Sequence, residues 1–259
     1  MELKLVDKKL EATDTYSFFW EPERRVTYLP GQYFYFTLPK MGKPDYRGPT
    51  RDFTLSSSPT EGNLLRFTTR IRDESEFKQT LIRLKIGSFI EAEGPNGTFI
   101  VDEKEPGPHV FIAGGIGITP FRSMIKYQID KRSLFLRNKY LSAKIILLYS
   151  NTTPDLIAFE KELNSWTKNN QNIKLVMTIT QPDESKSKWN GLTGRIDEQL
   201  IKSLITLRAK GSSEPEATHN PPSTYWLAGP PAMVSAMEDL LQKLKIHPNK
   251  IRTDKFTGY

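Results

Sequence analysis

The amino-acid sequence predicts a two-domain β + α/β protein, in which an N-terminal antiparallel β-barrel is followed by a C-terminal domain with a parallel sheet. Its 259 residues are enough for two domains of ordinary size. Up to about residue 104, short apolar or alternating runs are separated by turn residues, as in antiparallel sheets. Beyond it, apolar strands, glycine-rich turns and helices alternate, which is typical of parallel sheets covered by helices. We therefore divide the chain into residues 1–104 and 105–259.

Composition and charge exclude several classes of protein. The sequence contains no cysteine, which excludes disulfides, thiolate-bound zinc and cysteine-ligated iron–sulfur clusters within it. No apolar run approaches the ~18 residues of a membrane-spanning helix, so we expect a soluble, cytoplasmic protein. The net charge is +7, but acidic and basic residues are interspersed, which argues against nucleic-acid binding and leaves an acidic protein partner open. The three histidines are scattered, so no metal site is expected.

The first half carries the strand signals and one helix signal. The runs SFFW, QYFYFTL, DFTLSS, LLRFTTRI, SFIEAE and TFIV predict strands. Residues 75–85 place Phe77, Leu81 and Leu84 at helical spacing behind Ser75, a residue type that caps helix N-termini. Residues 102–109, rich in proline and charge, are predicted to link the domains.

The segment GPTRDFTLSSSP carries the polar residues of interest in this half. In an extended strand, Arg51 and Phe53 point to one face and Thr54 to the other. An arginine beside an aromatic ring and a hydroxyl can bind a phosphate, stack on a flat ring and hydrogen-bond its edge. A surface arginine beside a core phenylalanine explains the same tetrapeptide.

Two strand-to-helix turns mark the second half. In FIAGGIGITPFRSM, glycines follow an apolar strand and a helix begins near Thr119-Pro120, which suits a pyrophosphate at a helix N-terminus. A tight packing turn is the alternative, and the spacing departs from the GxGxxG fingerprint. YWLAGPPAMVSAM repeats the pattern, and turns at the carboxyl ends of parallel strands line one crevice. Together, the two turns favour a nucleotide-binding site. Residues 209–223 are predicted to be an exposed loop insertion.

The order of these motifs, followed by the chain end DKFTGY, resembles the ferredoxin-NADP(H) reductase family of flavoenzymes. The resemblance runs from GQYFYFTLP, which starts at Gly31, to the C-terminus. It implies FAD rather than FMN in the barrel and NAD(P)H as co-substrate in the second domain. The implied reaction is hydride transfer between nicotinamide C4 and flavin N5, with electrons passed to a separate acceptor such as an acidic ferredoxin or flavodoxin.

Other functions on the same fold stay open. One is the reductase component of an oxygenase, and another is an NADH-dependent flavin or metal reductase. A flavin-binding regulatory subunit without turnover is the non-enzymatic alternative. Assays with candidate acceptors distinguish these proteins, because a shared fold does not identify the acceptor.

The resemblance assigns the flavin-binding residues. It gives Arg51 the flavin pyrophosphate, Phe53 a stacking face and Thr54 the neighbourhood of flavin N5. Phe53 replaces the family's tyrosine, which loses a hydroxyl contact to the ribityl chain. Ser75 and Lys78 occupy the family's Gly-x-x-Ser motif, so the side chains there depart from the pattern. Backbone N–H groups at this helix start and the charge of Lys78 remain available for phosphate.

The resemblance also assigns the nucleotide-binding residues. The family's Gly-Gly-x-Gly-x-Thr-Pro loop is matched in full by Gly114, Gly115, Gly117, Thr119 and Pro120. The family's Cys-Gly-Pro-Pro-x-Met motif starts here with alanine, and its matching positions are Gly229, Pro230, Pro231 and Met233. Relatives that select NADP commonly carry Ser-Arg where this chain has Thr180-Gln181. Because the following loop holds two lysines, the choice between NADH and NADPH stays open.

The C-terminal residues complete the implied site. The family's acid-x-aromatic pattern maps to Asp254 and Phe256, and the aromatic ring covers the flavin where nicotinamide enters. Tyr259 is a second candidate for that cover, and ordinary anchoring of the chain end is the alternative. Thr54 and Asp254 are expected to tune the hydrogen bonding of the flavin.

Overall fold

The computed structural model describes residues 1–102, 108–134, 144–209 and 223–257. The chain divides into two compact units. The first contains residues 1–102, the helix Ile118–Leu134 and residues 156–159, and the second contains the other described residues. The predicted boundary after residue 104 falls outside the described residues and stays a prediction.

The first unit is built on six antiparallel strands: β1 (Glu2–Ala12), β2 (Thr15–Pro22), β3 (Tyr33–Thr37), β4 (Thr50–Thr54), β5 (Leu65–Arg70) and β6 (Phe89–Asn96). Their order in the sheet is β4-β3-β6-β1-β2-β5. A bridge between Leu55, just after β4, and Phe67 of β5 joins the two ends of the sheet. The sheet therefore closes, which confirms the predicted antiparallel barrel.

Aromatic residues fill the barrel because alternate positions of each strand point inward. Phe67 has no exposed surface and contacts the rings of Phe18, Trp20, Phe36 and Phe53, with ring centroids between 4.4 and 6.0 Å. Burying a side chain of this size stabilises the fold by roughly 2–3 kcal/mol. Core packing alone therefore fixes the inward-facing side chains of β4 and β5.

The predicted helix is present as α1 (Glu76–Arg83), and Ser75 is its N-cap as expected. The Ser75 hydroxyl accepts a hydrogen bond from the N–H of Lys78 at 3.3 Å. The apolar spacing turns Phe77 and Leu81 into the barrel core, where neither is exposed. The N-terminus of α1 therefore lies at a fixed place beside the barrel.

Lys8 of β1 caps the C-terminus of α1. Its Nζ donates to the carbonyl oxygens of Ile82 and Leu84 at 2.8 and 2.9 Å. These carbonyls have no partner within the helix, and a positive charge is favourable at a helix C-terminus.

Helix α2 (Ile118–Leu134) belongs to the first unit because its side chains bond there. The buried Arg122 donates to both carboxylate oxygens of Glu61, at 2.6 and 2.8 Å, and to the Ser56 carbonyl at 2.7 Å. The Ser123 hydroxyl donates to the Ser57 carbonyl at 2.6 Å.

The second unit is built on six parallel strands: β7 (His109–Gly114), β8 (Ile145–Asn151), β9 (Ile173–Ile179), β10 (Leu192–Thr193), β11 (Thr224–Gly229) and β12 (Ile251–Lys255). Their order is β10-β9-β8-β7-β11-β12, and all five pairings are parallel, as predicted. The chain order therefore changes direction at β7, and its neighbour β11 lies on the other side from β8. Ligands of open parallel sheets bind at the carboxyl ends of the strands at such a point.

Three further helices follow in this unit: α3 (Glu160–Asn169), α4 (Glu198–Ala209) and α5 (Pro231–Lys243). Helix α5 places Val234, Met237 and Leu241 in the core. The predicted loop insertion falls largely on residues 210–222, outside the described residues. Across the described ranges, no helix combines the length and apolar character needed to cross a membrane.

Candidate functional site

The guanidinium of Arg51 is held by its own loop. Its NH1 donates to the carbonyl oxygens of Arg47, Gly48 and Thr50 at 3.0, 2.9 and 2.7 Å. Its NH2 donates to Asp45 Oδ1 at 2.5 Å, in an ion pair whose side chains are 6% and 2% exposed. The predicted phosphate ligand is therefore present, buried, and fixed in orientation by protein acceptors.

Phe53 and Thr54 follow on the same strand. The Phe53 ring is stacked on Phe67, with centroids 4.4 Å apart and planes 5° from parallel. The ring also lies 6.0 Å from Phe36 and 5.9 Å from Phe77, and it is partly buried against the barrel core. Thr54 ends β4 and is buried. Phe53 therefore packs on the core, as the second alternative for this segment states, but its side chain is not fully buried.

The first turn of α1 differs from the sequence expectation. The Phe77 N–H donates to Asp45 Oδ2 at 3.0 Å, and the Lys78 N–H donates to Ser75 Oγ. Both N–H groups, which we expected to face phosphate, therefore have acceptors within the protein.

Five cationic residues form a basic cluster around α1: Arg47, Arg51, Arg70, Arg72 and Lys78. Burial, which is the largest cause, and the positive charges of the four arginines together lower the pKa of Lys78 to about 8. The Arg72 Nε is buried and has no hydrogen-bond partner within the described ranges. Because buried donors and like charges are unfavourable without an acceptor, these residues fit a bound polyanion such as the pyrophosphate of FAD.

Three of the five residues in this cluster, Arg47, Arg70 and Arg72, were not predicted from the sequence. Arg70 and Arg72 alternate in TRIR at the end of β5, so both point to one side of an extended chain. That spacing was a usable signal. Arg47 and Asp45 lie in an irregular loop, where no periodicity indicates which side chains converge.

The two glycine-rich turns of the second unit lie against each other. A Cβ on Gly117 would lie 2.6 Å from the Gly229 nitrogen and would also overlap the Ala228 carbonyl. A Cβ on Gly229 would lie 2.9 Å from the Gly114 oxygen. Gly117 and Gly229 are thus required by packing between the turns. Gly115 differs: its φ is +52° and no atom lies within 4 Å of a Cβ built there, so its backbone is open on that side.

The remaining residues of the two motifs surround these turns. A Cβ on Gly114 would approach Pro230 Cδ at 3.1 Å and overlap the sulfur of Met233, so both side chains lie over the end of β7. Thr119 and Pro120 are buried in the first turn of α2, which belongs to the first unit.

Thr180 and Gln181 extend the end of β9. Their N–H groups donate to the carbonyls of Asn151 and Thr152 at 3.0 and 2.8 Å. The Gln181 amide donates to Glu184 at 2.6 Å. This segment therefore lies at the same edge of the sheet as the carboxyl end of β8.

The loop that follows is anchored on a carboxylate. Asp155 accepts hydrogen bonds from the hydroxyls of Ser185 and Ser187. These bonds hold the pKa of Asp155 below its ordinary value, so it carries a negative charge at neutral pH. Lys186 and Lys188, the candidate ligands of a 2′-phosphate, flank these serines.

Asp254 and Phe256 lie beside the second glycine turn. Asp254 pairs with Ala228 in the sheet, and the Phe256 N–H donates to the Gly229 carbonyl at 3.0 Å. The structure thus brings both residues to the carboxyl end of β11. Tyr259, the second candidate for covering the flavin, lies outside the described residues.

Two family models match this chain. An oxidoreductase FAD-binding domain matches residues 2–100, and an oxidoreductase NAD-binding domain matches residues 111–239. Each model covers the half in which the sequence predicted that cofactor. These matches therefore confirm an FAD-binding domain in the first half and an NAD-binding domain in the second.

Curated proteins and solved structures agree with this match. The chain is 23% identical to a flavohemoprotein of Oceanobacillus iheyensis, over 98% of this chain and 58% of that protein. It is 27% identical to an NADH-cytochrome b5 reductase 1 of Coccidioides immitis, over 75% of this chain and 58% of that protein. The chain thus spans about three-fifths of these relatives. A cytochrome P450 reductase structure from Amycolatopsis has the same fold, with a TM-score of 0.75, 20% identity, and coverage of 100% of this chain and 70% of that one. The chain belongs to the ferredoxin-NADP(H) reductase-like family of flavoprotein oxidoreductases.

Proposed function

We propose that this chain is an NAD(P)H-dependent flavoprotein reductase that passes electrons to a separate acceptor. The observation that carries the proposal is the basic cluster on the barrel, where the pKa of Lys78 is lowered and the buried Arg72 Nε has no partner in the described ranges. Such a cluster needs a polyanion, and FAD has one in its pyrophosphate.

The residues of the first unit have distinct parts in this proposal. Arg51, Arg72 and Lys78 hold the pyrophosphate. The partly exposed ring of Phe53 stacks on the flavin ring, and the Thr54 hydroxyl is a hydrogen-bonding group for the ring edge. FAD held by these residues would supply the chemistry of hydride acceptance from the nicotinamide and of electron release to the acceptor.

The residues of the second unit bind and orient the co-substrate. The open backbone at Gly115 admits a phosphate, which the packed glycines beside it do not. Thr119, Pro120, Pro230 and Met233 belong to the same nucleotide-binding motifs. Asp254 and Phe256, or Tyr259 in place of Phe256, complete the site on the nicotinamide side. These roles follow from the family resemblance and remain proposals.

We propose NADH as the preferred donor. Thr180 and Gln181 offer no arginine for a 2′-phosphate, and the next loop is anchored on the Asp155 carboxylate, which repels phosphate. Lys186 and Lys188 are the groups that would reverse this preference.

The acceptor is proposed as a separate protein. An acidic ferredoxin or flavodoxin suits the net charge of +7. The names of the relatives, a flavohemoprotein, a cytochrome b5 reductase and a cytochrome P450 reductase, favour a haem protein as a second candidate, and an oxygenase component is a third. The cytoplasmic location expected from the sequence stays a prediction.

An anaerobic visible spectrum tests the proposal. The purified protein, reconstituted with FAD or FMN, is recorded before and after separate additions of NADH and NADPH. We expect a flavin spectrum that bleaches faster with NADH. A protein that binds no flavin would refute the proposal, and a bound flavin that neither nucleotide bleaches would favour the regulatory alternative. Reduction of ferredoxin, flavodoxin, cytochrome b5 and free flavin in parallel assays identifies the acceptor class.

A further inference from the structure

We propose that Asp45 is a positioning residue of the flavin-phosphate site, which holds the Arg51 guanidinium in its phosphate-binding orientation. This inference rests on the proposed function, because it takes Arg51 and the basic cluster to bind the phosphate of a flavin. Asp45 acts on the ligand only through Arg51.

The Asp45 carboxylate joins two parts of the site. Its Oδ1 accepts from Arg51 NH2 at 2.5 Å and from the Arg47 N–H at 2.9 Å. Its Oδ2 accepts from the Phe77 N–H at 3.0 Å and from Ser75 Oγ at 3.5 Å. One side chain therefore connects the loop before β4 with the first turn of α1.

This carboxylate is buried and ionised. Its side chain is only 2% exposed, and burial alone would raise the pKa. The N–H groups of Phe77 and Arg47 and the charge of Arg51 outweigh that effect and lower the pKa of Asp45 below its ordinary value. A buried carboxylate with this many donors is stable only in one geometry, so it fixes the groups that it contacts.

The consequence for Arg51 is preorganisation. A free arginine side chain loses conformational freedom when it binds a ligand, and that loss lowers affinity. Arg51 is already held by Asp45 and by three backbone carbonyls, so the loss occurs during folding. Without Asp45, the three carbonyls still hold NH1, but NH2 has no other acceptor among the residues that the structure describes.

A competing explanation makes the opposite prediction. The Asp45 carboxylate could occupy the place of the phosphate, so that flavin must displace it. The structure favours positioning, because Asp45 also accepts the Arg47 N–H of its own loop, so its carboxylate is part of the structure of that loop. If Asp45 competed with phosphate, removing its charge would strengthen flavin binding.

The test measures dissociation constants of the apoprotein for FAD, FMN and riboflavin by quenching of flavin fluorescence. Riboflavin lacks phosphate, so it reports ring binding alone. We expect Asp45→Asn to weaken FAD and FMN about tenfold and riboflavin less than twofold. Asp52→Asn is the matched control, since Asp52 is exposed on the other side of β4, and it should leave all three constants unchanged.

A double-mutant cycle separates positioning from a general loss of structure. In an Arg51→Ala background, Asp45→Asn should weaken FMN no further, because Asp45 acts through Arg51. Equal weakening of all three flavins, unchanged FMN affinity, or tighter FMN binding would each overturn the proposal. If Asp45→Asn does not fold, Asp45→Glu, which keeps the charge but moves the carboxylate, must show the same phosphate-specific loss. A wild-type protein that binds no flavin would instead refute the proposed function.

Discussion

Lys78 should take up a proton when FAD binds. In the free protein, burial and the neighbouring arginines lower its pKa to about 8 from its ordinary value of 10.5. A pyrophosphate in the basic cluster would compensate these charges and restore the pKa toward its ordinary range. Binding above pH 8 therefore converts a neutral lysine into a charged one.

The size of the effect follows from that pKa difference. It corresponds to roughly 3 kcal/mol, at about 1.4 kcal/mol per pH unit. We expect an uptake of about half a proton per FAD at pH 8 and nearly one at pH 9. FAD affinity should therefore fall as the pH rises from 8 toward 10.5.

The stability of the free protein should change with pH in the opposite direction to FAD affinity. Between pH 8 and 10.5 the unfolded chain binds more protons at Lys78 than the folded protein does. Its free energy of unfolding should therefore rise with pH in this window, as far as Lys78 determines it. FAD-loaded protein should lose this rise, because the pKa of Lys78 is then close to its unfolded value.

Isothermal titration calorimetry measures the proton uptake directly. FAD is titrated at pH 8 and 9 in two buffers of different ionisation enthalpy, and the difference in heat gives the number of protons. Lys78→Met keeps the apolar stem and should abolish the uptake. Lys85→Met, at an exposed position just beyond α1, is the control and should retain it. Zero uptake in the wild type, or equal uptake in Lys78→Met, would show that no phosphate binds beside Lys78.

Three further substitutions test the packing around the site. Gly117→Ala should lower the free energy of unfolding by about 1–3 kcal/mol, because its Cβ overlaps the Ala228 backbone. The same substitution should lower the rate of flavin reduction by NADH while FAD stays bound. An unchanged rate would contradict a role of this turn in nucleotide binding. Lys8→Met should lower the free energy of unfolding, measured in urea, by about 1 kcal/mol, because α1 loses the cap at its C-terminus. Equal urea midpoints for the variant and the wild type would show that Lys8 does not stabilise this helix. Arg122→Met should cost about 3 kcal/mol, because the Glu61 carboxylate loses both hydrogen bonds from Arg122 and is left with the longer ion pair to Arg66 at 3.7 Å. Adding Glu61→Gln should recover part of that loss.

The sequence alone determined the class of protein and much of its local structure. Strand alternation indicated the barrel, and the change to strands, glycine turns and helices indicated the parallel sheet. Ser75 and the apolar spacing behind it located α1, which the structure confirms. These features are readable because they depend on neighbours in the chain, and the order of the motifs then indicated the cofactors that the domain matches confirm.

The tertiary structure decided how the sites are built. It brought Asp45 to Arg51 and to the first turn of α1, and it occupied N–H groups that we had expected to face phosphate. It also gave Gly117 a packing reason that a single strand-to-helix turn does not reveal. Convergence of this kind depends on contacts between distant strands and irregular loops. No local period encodes such contacts, so the sequence indicated which chemistry to expect and the fold decided which residues provide it.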